Sequence, residues 1–198
     1  TMVRMTHPTI LAKNFITLFN MKITLIRHGE SLANVGHFIN DNPAKPVHLT
    51  DKGRAQAESL ALRLRDEIFT HAYASEFPRA QQTANILLRH HSCKLQIDAR
   101  LNERKSGMDG LPVHAFNDQV KRDPLHFKTA TGESFLDQME RLRSFLDELA
   151  SRHPHGKILA VSHENPIIAA LALTVTDASL VVFNNLENCG CLDLHWPV

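Results

Sequence analysis

The sequence predicts a three-layer α/β/α sandwich built on a mostly parallel central sheet. Three observations carry that expectation. Strand-like and helix-like segments alternate from Met21 onward. The run KILAVS (157–162) is almost wholly apolar, as a strand covered on both faces must be. Three strand-like runs also end in arginine, histidine or serine, where an open α/β sheet presents its ligand site.

The elements follow in order. KITLI (22–26) reads as the first strand, and an Asn- and Pro-containing loop runs from about 36 to 49. Thr50 caps a helix whose Ala57, Leu60, Leu64 and Ile68 are spaced to share one buried face. HAYAS (71–75) is a short strand. PRAQQTANILLRH (78–90) is a helix opening on Pro, whose missing N–H is harmless in the first turn. KLQI (94–97) is another strand. Residues 98–131 lack a strong period, and 104–131 within them reads as a short lid. Helix returns over 134–152, with Leu136, Met139, Leu142, Leu146 and Leu149 as its core stripe. KILAVS, a helix over 166–173, and strands near 180–186 and 190–195 complete the pattern.

One domain over 21–198 accounts for all of these elements. Residues 1–20 read as an N-terminal extension, peripheral or disordered, without the apolar core and small-residue cleavage site of a secretory signal. A chain of 198 residues, 43% hydrophobic, supports a substantial core. The formal net charge of +1 argues against a nucleic-acid-binding surface. No apolar run approaches the roughly 18 residues of a membrane span. Cys93, Cys189 and Cys191 form no disulfide framework and read as reduced thiols of a cytoplasmic protein. Among the 13 histidines, His90 and His91 lie near Cys93, and His153 near His155. Neither group has the spacing of a zinc module, so no metal is expected.

The strand ends hold the chemistry. The first leads into Arg27-His28-Gly29-Glu30, the second ends at Ser75 with Arg79 one helical turn on, and KILAVS leads into His163. An ordinary parallel topology brings two arginines and two histidines to one sheet edge. Guanidiniums offer forked hydrogen bonds to phosphate oxygens at every relevant pH. One imidazole can attack phosphorus and the other can stabilise charge on the equatorial oxygens. A leaving alkoxide then needs a proton, and Glu103 in LNER is placed to supply one.

These motifs resemble the histidine phosphatase superfamily, the phosphoglycerate mutase-like fold. LIRHGES with Asn34 is similar to its RHG signature, LTDKGRAQAESL (49–60) to its LT-x-x-G-x-x-QA segment, and ASEFPRAQQTANIL (74–87) to its S-x-x-x-R-A-x-QTA element. LNERKSGMDG (101–110), GESFLDQMERLRSFL (132–146) and ILAVSHENPIIAAL (158–171) resemble the remaining elements, in order. The resemblance implies His28 as nucleophile, forming a phosphohistidine, and Glu103 as proton donor. It implies a phosphate pocket of Arg27, His28, Arg79 and His163, with Asn34 adding a side-chain hydrogen bond. Glu164 and Asn165 stand where the family often has two glycines, and either turn away or shape specificity. The implied activity is metal-independent hydrolysis of a small phosphorylated metabolite without a cofactor, by a protein that allows a homodimer. Phosphoglycerate mutase-type transfer is the main alternative: LNER resembles the mutases, whereas Ala33 replaces their Trp before Asn34 and their long insertion is absent. A protein phosphatase of the same superfamily and a non-catalytic scaffold are weaker alternatives. Lys105, Arg122 and Lys128 are candidates for binding a second anionic group of the substrate.

Overall fold

The computed structural model describes residues 20–198, so the expected extension over 1–20 lies outside the described residues except for Asn20. In chain order the elements are β1 (Asn20–Arg27), α1 (Leu32–Gly36), α2 (Asp51–Leu64), β2 (His71–Ala74), α3 (Pro78–Leu87), β3 (Leu95–Ile97), α4 (Val113–Val120), α5 (Phe135–Arg152), β4 (Lys157–Ser162), α6 (Glu164–Ala172) and β5 (Cys191–Pro197). The sheet order is β3-β2-β4-β1-β5, parallel except for β5, which runs antiparallel along β1.

Side-chain alternation along the central strands divides the core in two. Ile158 and Ala160 of β4, Ile23 and Leu25 of β1 and Tyr73 of β2 pack with Leu142, Phe145, Leu146 and Leu149 of α5 and Ile167 of α6. Leu159, Val161, Ile26, Ala72 and Ala74 point the other way, onto Ala57 and Leu60 of α2 and Ala80, Ala84 and Leu87 of α3. β4 is buried on both faces, which is why KILAVS has no polar residue between its ends.

Register aligns the functional strand ends. Arg27 pairs with Ser162, and Ala74 with Val161, so His28, His163 and Ser75 leave the sheet at one edge. The chain after β1 then crosses the start of α2 at close range. A Cβ on Gly29 would lie 2.3 Å from the Gly53 carbonyl oxygen, and one on Gly53 would lie 2.0 Å from that of Glu30. Thr50 caps α2 through the Gly53 N–H at 3.0 Å, while its own N–H donates to Glu30 O at 2.9 Å.

Five local expectations are corrected. No strand forms over 180–186: Val181 packs on Ile168, Ala169 and Ala172 of α6, and β5 already occupies the free edge of β1. The segment 104–131 holds a regular helix, α4, which buries Phe116. α2 ends at Leu64, leaving Ile68 exposed, and Leu136 is exposed on α5, where Phe135 and Phe145 are buried instead. α6 begins at Glu164, two residues early, with His163 as its N-cap residue.

The crossing at Gly53 has a measurable consequence. Gly53→Ala is expected to destabilise the protein by roughly 1–3 kcal/mol, because its methyl group meets backbone that cannot rotate away. Urea unfolding measures this, and an unchanged midpoint contradicts the packing.

Candidate active site

Beyond the carboxyl ends of β1, β4 and β2 lies a cavity of about 260 Å³, lined by Arg27, His28, Asn34, Arg79, Glu103, Glu164 and Asn165 among others. His163 lies directly behind it, with its ring centroid 5.0 Å from that of His28. The structure therefore brings Arg27, His28, Asn34, Arg79, Glu103, His163, Glu164 and Asn165 into one place, but not the expected lid cations.

Arg79 organises the centre. Its Nε donates to His28 Nε2 at 3.1 Å, and its Nη2 to His163 Nδ1 at 3.2 Å. Nη1 donates to Asn40 Oδ1 at 2.5 Å, Nη2 also reaches the Asn40 carbonyl at 3.1 Å, and the guanidinium lies 4.4 Å over the Phe77 ring. Among the described residues no carboxylate contacts this buried cation, and burial pulls its pKa down to about 10. A cation held by neutral partners in a pocket wall is a receptor for an anion.

These contacts assign the tautomers of both histidines. Arg79 only donates, so His28 Nε2 carries a lone pair and its Nδ1–H donates to the Gly29 carbonyl at 2.7 Å. His163 is the converse: Nδ1 accepts from Arg79, and Nε2–H donates to Ser75 Oγ at 2.8 Å. Burial first, then the Arg79 charge, lowers both pKa values well below that of free imidazole. His28 thus presents an unprotonated nitrogen to the cavity.

The remaining groups are fixed by short contacts. Glu103 Oε1 accepts from Arg104 N at 2.8 Å and Asn165 Nδ2 at 3.3 Å, and its Oε2 lies 3.9 Å from His163 Nδ1. Desolvation pushes this carboxyl up, towards its protonated form. Asn34 Oδ1 closes a capping box with Ser31, leaving its amide nitrogen for the cavity. Arg27 Nη1 pairs with Glu164 Oε2 at 3.0 Å and donates to the Leu186 carbonyl.

Two positions escaped the sequence reading, and three were read differently. Asn40, buried and bonded to Arg79 through side chain and backbone, sits in a loop with no pattern to mark it. Arg104 is buried in the cavity wall, held by the Glu133 and Phe127 carbonyls at 3.2 and 2.9 Å and lying 5.0 Å over the Phe116 ring. The expected lid cations are elsewhere. Lys128 pairs with Asp137 at 3.0 Å, Arg122 is exposed, and Lys105 faces an adjoining cleft. Nor do the histidine clusters assemble a metal site: His153 stacks on His71 at 3.7 Å, and among the described residues no three His, Cys, Asp or Glu side chains converge as ligands.

A parallel-sheet sandwich with two histidines and two arginines at its strand ends defines a phosphoryl-binding class of site. The family comparison is specific: residues 23–196 match the model of the histidine phosphatase superfamily, branch 1, and the chain belongs to that family. It is 30% identical to a protein of Erwinia tasmaniensis named "Probable phosphoglycerate mutase GpmB", over 72% of this chain and 69% of that one. It is 27% identical to the adenosylcobalamin/α-ribazole phosphatase of Escherichia coli K12, over 86% and 87% of the two chains. The crystal structure of the α-ribazole phosphatase from Shigella flexneri superposes with a TM-score of 0.74 at 27% identity, covering 87% of this chain and 89% of that one.

The protonation states can be tested directly. Both rings are neutral in the folded protein, whereas free imidazole takes a proton near pH 6.5. Stability is therefore intact above about pH 7 and falls as pH drops below about 6.5, where the unfolded chain binds more protons. In NMR titrations from pH 8 to 6 the His28 and His163 ring resonances are expected to stay at their neutral positions. Titration of either ring near 6.5 contradicts the assignment.

Proposed function

We propose that the chain is a metal-independent phosphomonoesterase that hydrolyses a small phosphorylated metabolite through a phosphohistidine on His28. One observation carries the proposal: His28 is held neutral, with its Nε2 lone pair facing a cavity shared with two guanidiniums. An incoming phosphoryl group takes the Arg79 Nε hydrogen bond that Nε2 now accepts, freeing the lone pair for attack. The Nε2–P bond forms as the P–O bond to the alcohol breaks, and the protonated Glu103 carboxyl gives its proton to the departing oxygen. Water then loses a proton to Glu103 and attacks phosphorus, and the P–N electron pair returns to His28.

Positive charge on Arg27 and Arg79 meets the charge on the equatorial oxygens. The phosphoryl dianion also favours protonation of His163 Nδ1, since it opposes the cationic field that, after burial, keeps this ring neutral. The distal cavity combines the buried Arg104 with Phe38, Ile39, Val113 and Phe116, which suits an alcohol with an apolar body and a polar or anionic end. A volume of about 260 Å³ suits a small metabolite rather than a segment of a folded protein. The α-ribazole phosphatases among the relatives support a phosphorylated small molecule of this kind. Residues 104–131, with α4, serve as the lid over it. Unpaired Cys93, Cys189 and Cys191 suit a reducing cytoplasm. Mutase chemistry is the second reading, favoured by the GpmB similarity and by the LNER segment.

Acid quenching during turnover of labelled substrate is expected to trap phosphate on His28, and turnover with no label on the protein rules out the covalent route. With 3-phosphoglycerate and 2,3-bisphosphoglycerate, hydrolysis without formation of 2-phosphoglycerate is expected; accumulation of that isomer establishes the mutase reading instead. Glu103→Gln is expected to slow alkyl phosphates by about 10²-fold or more, while p-nitrophenyl phosphate, whose leaving group departs unprotonated, changes little. Equal losses on both substrates would remove Glu103 from the acid role.

A further inference from the structure

Arg27 meets the cavity in an unusual state. Its Nε is buried and has no hydrogen-bond partner among the described residues, while its Nη1 is doubly engaged. Nη1 donates to the Leu186 carbonyl and pairs at 3.0 Å with Glu164 Oε2. The other Glu164 oxygen, Oε1, accepts the Leu186 N–H at 3.1 Å. Glu164 therefore bridges the guanidinium and the 186–190 segment from the first residue of α6. That segment also reaches the nucleophile, since Asn188 Nδ2 donates to the His28 carbonyl at 3.0 Å and Cys189 N donates to that of Arg27 at 3.0 Å.

The geometry of a guanidinium gives this arrangement a purpose. Its Nη1 corner lies away from the Nε–Nη2 edge, and that edge is the fork matching two phosphate oxygens. A free arginine side chain has several rotamers, few of which aim the fork at His28. An anchor on Nη1 selects among them before substrate arrives, as a preorganised electrostatic site requires. Leaving Nε desolvated and unpaired is costly unless an anion completes it. Glu164 stands where a glycine would offer neither contact. It does not block the phosphate, because its carboxylate takes the corner that the phosphate does not need.

We propose that Glu164 is a positioning residue, which holds Arg27 by Nη1 so that its Nε–Nη2 edge faces the phosphoryl group attacked by His28. The inference rests on the phosphomonoesterase reading above. It also separates two roles for one contact: aiming the guanidinium and tethering the 186–190 segment. A tether alone affects melting temperature but has no selective effect on the transition state.

The experiment compares wild type with Glu164→Gln, Glu164→Asp and Glu164→Ala. It follows p-nitrophenyl phosphate hydrolysis, inhibition by orthovanadate, a five-coordinate mimic, inhibition by inorganic phosphate, and melting temperature. Gln keeps an acceptor at the same reach and is expected to stay within about threefold of wild type in kcat/KM. Asp keeps the charge but falls a methylene short, and Ala has neither acceptor nor charge. Both are expected to lose about tenfold or more in kcat/KM and vanadate affinity, with phosphate inhibition changing by less than about threefold, because misaim costs most in the transition state. If Ala fails to fold, the Asp and Gln pair decides. Equal weakening of vanadate and phosphate, or Asp and Gln indistinguishable in kinetics, overturns the positioning role. A wild type that neither turns over a phosphomonoester nor binds vanadate refutes the phosphomonoesterase reading itself, whereas an active wild type with unaffected Asp and Ala variants refutes only this inference.

Discussion

The site depends on burying one guanidinium without a carboxylate against it. Arg79 carries its charge into the protein and satisfies its hydrogens on two imidazole lone pairs and on Asn40. Several properties follow from that choice of partners. Each histidine is held in one tautomer with its opposite N–H anchored, His28 on a backbone carbonyl and His163 on a serine hydroxyl. Both rings remain neutral, because a second positive charge beside Arg79 in a desolvated setting is unfavourable. Among the described residues no carboxylate contacts the Arg79 charge, and Glu103 acts on it only at a distance. A carboxylate in direct contact would have satisfied Arg79 and left phosphate nothing to complete.

Such an arrangement persists only on a rigid mount. β1, β4 and β2 are adjacent and parallel, and their shared register sets His28, His163 and Ser75 at one level. Packing on both faces prevents the strands from sliding, because a one-residue slip would exchange the two cores. Helices and loops then deliver the remaining groups. α3 carries Arg79 on its first turn, and the Ser162 hydroxyl holds the Leu101 carbonyl at 2.7 Å, tying the Glu103 segment to β4. Thr83 links α3 to the RHG turn by accepting from Gly29 N at 3.1 Å and donating to the Arg79 carbonyl at 2.8 Å. His28, Glu103 and Arg79 thus share one framework.

What was legible in the chain had local causes. Alternation and apolar runs marked β1, β2, β4 and the main helices, because burial on one or both faces imposes a period on neighbouring residues. Arg27, His28, Arg79, Glu103 and His163 were legible because each sits at a strand end or in an ordered motif. Expectation failed where a partner distant in sequence decides. Val181 and its neighbours have the composition of a strand but cover α6. Asn40 lies in a loop of ordinary composition, and only Arg79, 39 residues on, gives it a role. Lys105 and Arg104 are adjacent cations, but Arg104 alone enters the cavity, since backbone carbonyls and the Phe116 ring receive it there.

The sequence alone determined the layered α/β architecture, the strand that carries His28, and the residue types of a phosphoryl-transfer site. Those properties follow from hydrophobic period and short motifs, which act over a few residues. Tertiary structure decided the protonation of each imidazole, the partners of Arg79 and the direction in which Glu164 faces. Each depends on burial and on hydrogen bonds between segments far apart in the chain. Glu164 shows the division most clearly. As a letter beside His163 it was an acidic intrusion into an anion site, and in the fold it holds the outer corner of Arg27.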